Sequence, residues 1–301
     1  MVKDEGISLV KNKLLSVLMV TYNHELYVGE ALDSVIAQSY VDWEIVIVDD
    51  GSCDNTRDIV SDYCRKWGNR IQLYTHPENA NRGIAASYER GLRECRGEYL
   101  GFLEGDDLWR SDNVELKINA LVNNKVSLVF SWVEPFGDLA IIIPKTPFFN
   151  ECRRVPAGVV FDGQRMILTV NYIPTFSSVI AKRSLFSDVK LPIKRFSPWF
   201  DWWSWIGVSS KTLFYCIPEE LVRWRFYPRS YGNRFNAQKG FWGIVGHEFS
   251  FRKYVFDNIF SSKTKRFMDK LRAFCLLFIK GFVVRISLFV KRIIMPAVSG
   301  K

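Results

Sequence analysis

The chain has 301 residues, 48% hydrophobic and 15% aromatic, enough to build the core of one large domain or two small ones and to exclude an intrinsically disordered protein. Its net charge of +9 is unevenly placed: from Lys263 to Lys301 ten Lys or Arg stand against one acid, Asp269, while the first 262 residues carry 31 charges of each sign. The cysteines, Cys53, Cys64, Cys95, Cys152, Cys216 and Cys275, form no CxxC pair and have no His at ligand spacing, which argues against a zinc site or a thioredoxin-like motif and fits reduced thiols inside a cell.

The opening "MVKDEGISLVKNK" is charged and lacks an apolar h-region, so no cleaved secretory signal is expected. Residues 14–20, "LLSVLMV", are an apolar run too short for a typical helix and end at the polar turn signal "TYN". "ELYVGEALDSVIAQS" then carries apolar residues at helical spacing, predicting an amphipathic helix. The alternation repeats: "WEIVIVDD" as strand, "DNTRDIVSDYCRKW" as helix capped by Asp54 or Asn55, "RIQLYTH" as strand, "GIAASYERGLREC" as helix, and "EYLGFLEGDD" as strand.

Continuously apolar strands joined by helices predict an α/β fold with a doubly wound, mostly parallel sheet. In such sheets ligands bind beyond the carboxyl ends of the strands. Thr21, Tyr22 and Asn23 follow the first strand, Asp49 and Asp50 the second, and Asp106 and Asp107 the fourth. A helix near residues 111–123 with Ser111 or Asp112 as its cap, a strand "SLVFSWVE", a segment "PTFSSVIAKRSLF" and a Trp-rich stretch "WFDWWSWIGVSS" come next, with no clear linker. The first domain is therefore drawn over residues 1–230 and a helical C-terminal region over 231–301.

No GxGxxG follows the first strand and no GxxxxGK[ST] occurs, so a bound nucleotide must be held in another way. Hard divalent cations such as Mg²⁺ or Mn²⁺ take oxygen ligands, commonly one or two carboxylates plus substrate phosphates. Asp106 and Asp107 at a strand end suit that chemistry, although a single Asp in such a loop serves equally well as a turn or helix cap.

"SVLMVTYNHELYVGEALDSVIAQSYVDWEIVIVDDGSCDNT", followed by "ENANRGIAASYERGLRECRGEYLGFLEGDD", resembles the nucleotide-binding half of family 2 glycosyltransferases, which have the GT-A fold. The resemblance is close over residues 14–107 and looser to about 230. It implies inverting transfer of a sugar from a nucleotide-diphosphate donor. It places Thr21 and Tyr22 against the base, with Asn23 beside them, Asp50 on the base edge with Asp49 adjacent, Asp106 near the ribose, and Asp107 on a metal bridging the diphosphate. Such transfer needs a carboxylate that takes the acceptor proton. Asp201, the single acid in "SPWFDWWSWIG", is the candidate, because desolvation among indoles raises a carboxyl pKa. The alternative is that Asp201 caps its helix and the tryptophans are core; otherwise the indoles lie against a sugar or a lipid-linked acceptor.

"LVRWRFYPRSYGN" resembles the closing strand of these sites, where an Arg-x-His lies near the diphosphate; Arg225 matches, and Tyr227 replaces the His. Two further departures are Glu104 in place of the family's Asp, and Tyr88-Glu89 in place of an Arg-Asn pair. Between the tail's basic residues run Phe267, Leu271, Phe274, Phe278, Phe282 and Ile286, so 263–295 reads as a cationic amphipathic segment for an anionic membrane surface. Lys280 and Arg285 interrupt it too closely for a spanning helix.

The sequence thus predicts a glycosyltransferase using Mn²⁺ or Mg²⁺ and a nucleotide-sugar donor, expected to be UDP-linked. The expected acceptor is a lipid-linked or cell-surface saccharide, the expected place the cytoplasmic side, peripheral on the inner face of the membrane, and no nucleic acid is expected as partner. The alternative is an inactive nucleotide-sugar-fold protein that scaffolds partners at the membrane.

Overall fold

The computed structural model describes residues 13–187 and 194–260. The strand β1 (Leu15–Thr21) pairs in parallel with β2 (Trp43–Asp49) and β4 (Tyr99–Phe102), and β2 pairs in parallel with β3 (Ile71–Thr75). The helices α1 (Val28–Ile36), α2 (Thr56–Trp67) and α3 (Ile84–Glu94) connect them. Every residue of β1 and β2 is buried. Alternate side chains enter two separate cores: Leu18, Val20, Val46 and Val48 on one face, Leu15, Val17, Met19, Ile45 and Ile47 on the other. A sheet covered on both faces is what continuous apolar runs specify, since neither face of the strand tolerates a polar side chain without a partner.

Two polar residues in these strands are accounted for by each other. The Ser16 hydroxyl donates to Glu44 Oε1 at 2.7 Å and accepts from the Gly97 N–H, while Arg96 Nε donates to Glu44 Oε2 at 2.8 Å. Burial pushes the Glu44 carboxyl up, but the Ser16 and Arg96 hydrogen bonds outweigh it and hold the group below its ordinary range. The pair pins β1, β2 and the turn into β4 together.

The rest of the sheet is mixed. Its order is β3-β2-β1-β4, then β8 (Val179–Lys182), β6 (Leu128–Gly137), β9 (Phe214–Phe226) and β5 (Leu108–Trp109), with β7 (Gly158–Val160) also on β9. The strand β6 is parallel to β9, whereas the short strands β5, β7 and β8 run antiparallel to their neighbours. Between them lie α4 (Asn113–Asn123), α5 (Leu139–Ile142), α6 (Thr146–Cys152), α7 (Gly163–Thr169) and α8 (Phe200–Val208). Asp112 occupies the N-cap of α4, but its carboxylate is taken by Arg110 rather than by the helix. Asn55 stands at the N-cap of α2 without a side-chain capping bond; the neighbouring Asp54 accepts from the Thr56 N–H instead.

The helix α9 (Tyr231–Val255) is kinked at Gly240. Phe251 and Val255 are fully buried in the same core as α8. The 263–295 segment lies outside the described residues. Among the described residues no helix is long and apolar enough to cross a membrane.

Lys117 on α4 is fully buried, and its Nζ has no hydrogen-bond partner among the described residues. Burial pushes its pKa well below the ordinary lysine value. Between that lowered value and 10.5 the unfolded chain binds a proton that the folded chain does not, so stability rises with pH across this window. Lys117→Met is expected to raise stability at pH 7 by about 1–3 kcal/mol, the cost of an unpartnered buried polar group, and to flatten that pH dependence in thermal melts. A variant with an unchanged melting temperature and pH slope would contradict this account.

Candidate active site

Strand order turns back between β1 and β4, the position at which doubly wound sheets bind ligands. The register places Thr21 beside Asp49, and the Thr21 hydroxyl donates to Asp49 Oδ2 at 3.0 Å. The other Asp49 oxygen accepts from the Ser52 N–H at 2.9 Å. Asp50 accepts from the backbone N–H groups of Arg82 at 2.8 Å and Gly83 at 3.0 Å, tying the loop before α3 to the end of β2. Gly51 has φ +82°, and a Cβ there would lie 2.6 Å from the Asn79 carbonyl oxygen, so the two loops meet only because this residue has no side chain. Thr21, Asp49 and Asp50 are all buried; Tyr22 is part-buried and Asn23 exposed. The residues expected at the base therefore cluster, with the two aspartates holding loops by hydrogen bonds.

The acidic motif begins at Glu104, two residues beyond β4 and just after Leu103, whose N–H still bonds the Leu18 carbonyl. Gly105 lets the chain fold against β1: a Cβ would come within 2.7 Å of His24 Nδ1 and 2.8 Å of Thr21 Cγ2. Oxygens of Glu104, Asp106 and Asp107 then lie within 4.8 Å of one another. Two distant segments anchor them. Antiparallel β8 starts at the carboxyl end of β4, so Ser177 just before it donates its hydroxyl to Asp107 Oδ2 at 2.6 Å and accepts from the Glu104 N–H at 3.1 Å. The end of β9 supplies the Arg225 N–H to Asp107 Oδ1 at 2.9 Å.

Burial, followed by the neighbouring acids Asp107, Asp106 and Asp201, pushes the Glu104 carboxyl well above the usual range. Burial and then Asp106 push Asp107 the same way, against its bonds from Ser177 and Arg225. An all-oxygen donor set in which Glu104 and Asp107 are both pushed up by burial and neighbouring carboxylates fits a hard divalent cation, which would relieve the repulsion. Within the trio Asp107, expected on the metal, is fully buried and accepts a hydrogen bond on each oxygen, while Glu104 and Asp106 are part-buried.

Asp201 lies in the first turn of α8, not at its N-cap, which is Trp199. Its Oδ1 accepts from the Trp202 N–H at 2.6 Å and its Oδ2 from Asn171 Nδ2 at 2.9 Å. Burial pushes its pKa up to about 6 against the opposing pull of those bonds. Trp202, Trp203 and Trp205 are core side chains rather than a surface for an acceptor. The stack of Tyr88 on Phe176 and on Phe200, each at 4.9 Å between centroids, fixes where α8 starts relative to the acidic loop. Tyr88 thus has a packing role, and Glu89 faces solvent, paired with Arg93.

Arg225 does reach the motif, but its guanidinium is committed: Nε donates to the Asp106 carbonyl at 2.8 Å and the other end pairs with Glu30 at 2.5 Å. Tyr227 donates to Asp106 Oδ2 at 2.9 Å, and burial, then Asp106, pushes its phenol up. Ser177, Asn171 and the Tyr227 contact were not readable from sequence. Nothing local to "PTFSS" or "VNYIP" marks a residue that acts across 30 to 70 positions.

The switch point of the sheet, three acids suited to a cation and a desolvated carboxylate close by fit a GT-A nucleotide-diphospho-sugar transferase fold. The chain belongs to glycosyl transferase family 2, whose model matches residues 16–190. It is 32% identical over 129 residues to the Escherichia coli UDP-Glc:alpha-D-GlcNAc-diphosphoundecaprenol beta-1,3-glucosyltransferase WfgD, covering 43% of this chain and 49% of that one. To the putative teichuronic acid biosynthesis glycosyltransferase TuaG of Bacillus subtilis it is 35% identical over 118 residues, 39% of this chain and 46% of that one. The chain thus spans about half the length of these relatives. Among solved structures, S. aureus TarS 1-349 with UDP-GlcNAc superposes with a TM-score of 0.63 at 15% identity, over 88% of this chain and 71% of that one. The mannosyltransferase PcManGT of Pyrobaculum calidifontis with GDP-Man and Mn²⁺ gives 0.61 at 18% identity, over 95% and 76%. At these identities the two structures bear on the fold alone.

Proposed function

We propose that this chain is an inverting, metal-dependent glycosyltransferase that moves a sugar from a UDP-linked donor to a lipid-linked or cell-surface saccharide at the cytoplasmic face of the membrane. The observation that carries this reading is Asp201, a carboxylate with a pKa of about 6 held beside the acidic loop. A base should have a pKa near the working pH, which an exposed aspartate does not. The names of the relatives support the donor and acceptor classes: one uses UDP-Glc on a diphosphoundecaprenol-linked sugar.

In this mechanism Asp201 takes the proton of the acceptor hydroxyl as its oxygen attacks the anomeric carbon, on the side opposite the leaving diphosphate. Asn171 and the Trp202 N–H hold the carboxylate in place. Tyr22 and Asp50, with Thr21, Asn23 and Asp49 shaping the loops, form the nucleotide pocket. Glu104 and Asp106 would hold Mn²⁺ or Mg²⁺, which would supply charge neutralisation to the leaving diphosphate, while Asp107 fixes the loop between Ser177 and Arg225. Arg225 contributes positive charge next to that position from its station on Glu30 and Asp106. The inactive-scaffold alternative loses its motive, because Tyr88 packs in the core, Glu89 points to solvent and Glu104 remains with the other acids.

Turnover of UDP-, GDP- and dTDP-sugars with Mn²⁺ tests this function. Binding of nucleotide with no transfer or hydrolysis of any donor would remove the enzyme reading. For the basic tail, deletion from residue 263 should release the protein from anionic vesicles, and retained salt-sensitive binding would contradict the anchor.

A further inference from the structure

The end of β9 grips both aspartates of the acidic loop. The Arg225 N–H and Nε–H fix Asp107 Oδ1 and the Asp106 carbonyl, and two residues later the Tyr227 hydroxyl donates to Asp106 Oδ2 at 2.9 Å. The phenol is itself restrained. Its ring packs on Tyr27 at 4.9 Å between centroids, the Arg225 guanidinium lies 4.5 Å from the Tyr27 ring, and Arg225 is tied to Glu30 on α1. His24 Nε2 approaches the same Oδ2 to 3.8 Å from the β1 side. One Asp106 oxygen is thus bracketed by two elements, while Oδ1 receives no hydrogen bond from the described residues.

We propose that Tyr227 is a positioning residue for the divalent cation: by holding Oδ2 it fixes the plane of the Asp106 carboxylate and presents Oδ1 to the ion. This rests on the metal-dependent reading above. A carboxylate left free to rotate loses that freedom on binding, and one already oriented does not, so the phenol should act on cation affinity rather than on the chemical step. Hydrogen-bond partners of metal-ligating groups typically change affinity by about 10- to 100-fold.

The test is a Mn²⁺ titration of the full chain, followed by the electron paramagnetic resonance signal of the free ion. Tyr227→Phe, Asp106→Asn and the double variant are compared with wild type. Tyr227→Phe is expected to weaken Mn²⁺ binding about 10-fold or more, to lose sugar transfer at limiting Mn²⁺ and to regain it at saturating Mn²⁺. The double variant should bind no more weakly than Asp106→Asn alone, because the phenol acts through that carboxylate. Wild-type Mn²⁺ affinity in Tyr227→Phe, with the loss present in Asp106→Asn, overturns the role of Tyr227 and leaves the metal reading standing. A wild-type chain that binds no Mn²⁺ overturns both. If removal of the hydroxyl lowers the melting temperature, Tyr227→Gln and Tyr227→Leu carry the same comparison, since both lose the ring and one keeps a donor. Equal Mn²⁺ affinities in that pair overturn the proposal.

Discussion

Asp201→Asn is expected to lower the rate of sugar transfer by about 100- to 10,000-fold with little change in donor binding, since the amide cannot accept the acceptor proton. In the wild-type chain the rate should rise with pH through about 6, as the carboxyl ionises. The same substitution should make the protein more stable at neutral pH. The folded pKa is raised from 3.8 to about 6, so the native state binds the proton more tightly than the unfolded chain. Stability from this group is fully present below the unfolded value and is lost as pH rises through about 6, a difference of up to about 3 kcal/mol. Asn171 and the Trp202 N–H still find an oxygen in the variant, though only one, which trims the gain. A slow enzyme with a higher melting temperature at pH 7 and a flatter stability profile between about pH 4 and 6 is the expected result. A near-normal rate would remove Asp201 from the mechanism.

The second large effect separates the two adjacent aspartates. Asp106→Asn should abolish stabilisation of the protein by Mn²⁺ and lower transfer by about 100-fold or more, the loss of several kcal/mol of charge stabilisation at the departing diphosphate. Its effect on melting without metal should be small, because Asp106 is part-buried and accepts one side-chain hydrogen bond. Asp107→Asn should instead cost stability in the absence of metal, about 1–3 kcal/mol. An amide presents an N–H₂ where either Ser177 or the Arg225 N–H now donates, leaving a buried group unmatched. Differential scanning fluorimetry with and without Mn²⁺ reads both effects. The reverse pattern, with Asp107→Asn folding normally and losing Mn²⁺, would support the metal role that the family resemblance implies for Asp107.

The sequence by itself determined the doubly wound half. Strands such as "LSVLMVT" and "WEIVIVD" are apolar at every second position on both faces, which only a sheet covered on both sides satisfies, and the polar residues at their ends mark the crevice. Asp201 stood out as a single acid in an apolar helix, and the family resemblance made it the candidate base. The tertiary structure alone showed which oxygens of the acidic loop are hydrogen-bonded. Glu104, Asp106 and Asp107 look alike in a string of letters, and what distinguishes them is which oxygens are already occupied. Those partners, Ser177, Arg225 and Tyr227, lie 70 to 121 residues away. They arrive through a four-residue antiparallel strand and the far end of β9, and neither has a periodicity that announces where its end will dock. Local pattern fixes which face of an element is buried, because that depends on near neighbours. Hydrogen bonding at a crevice depends on chain segments that only the packed sheet brings together.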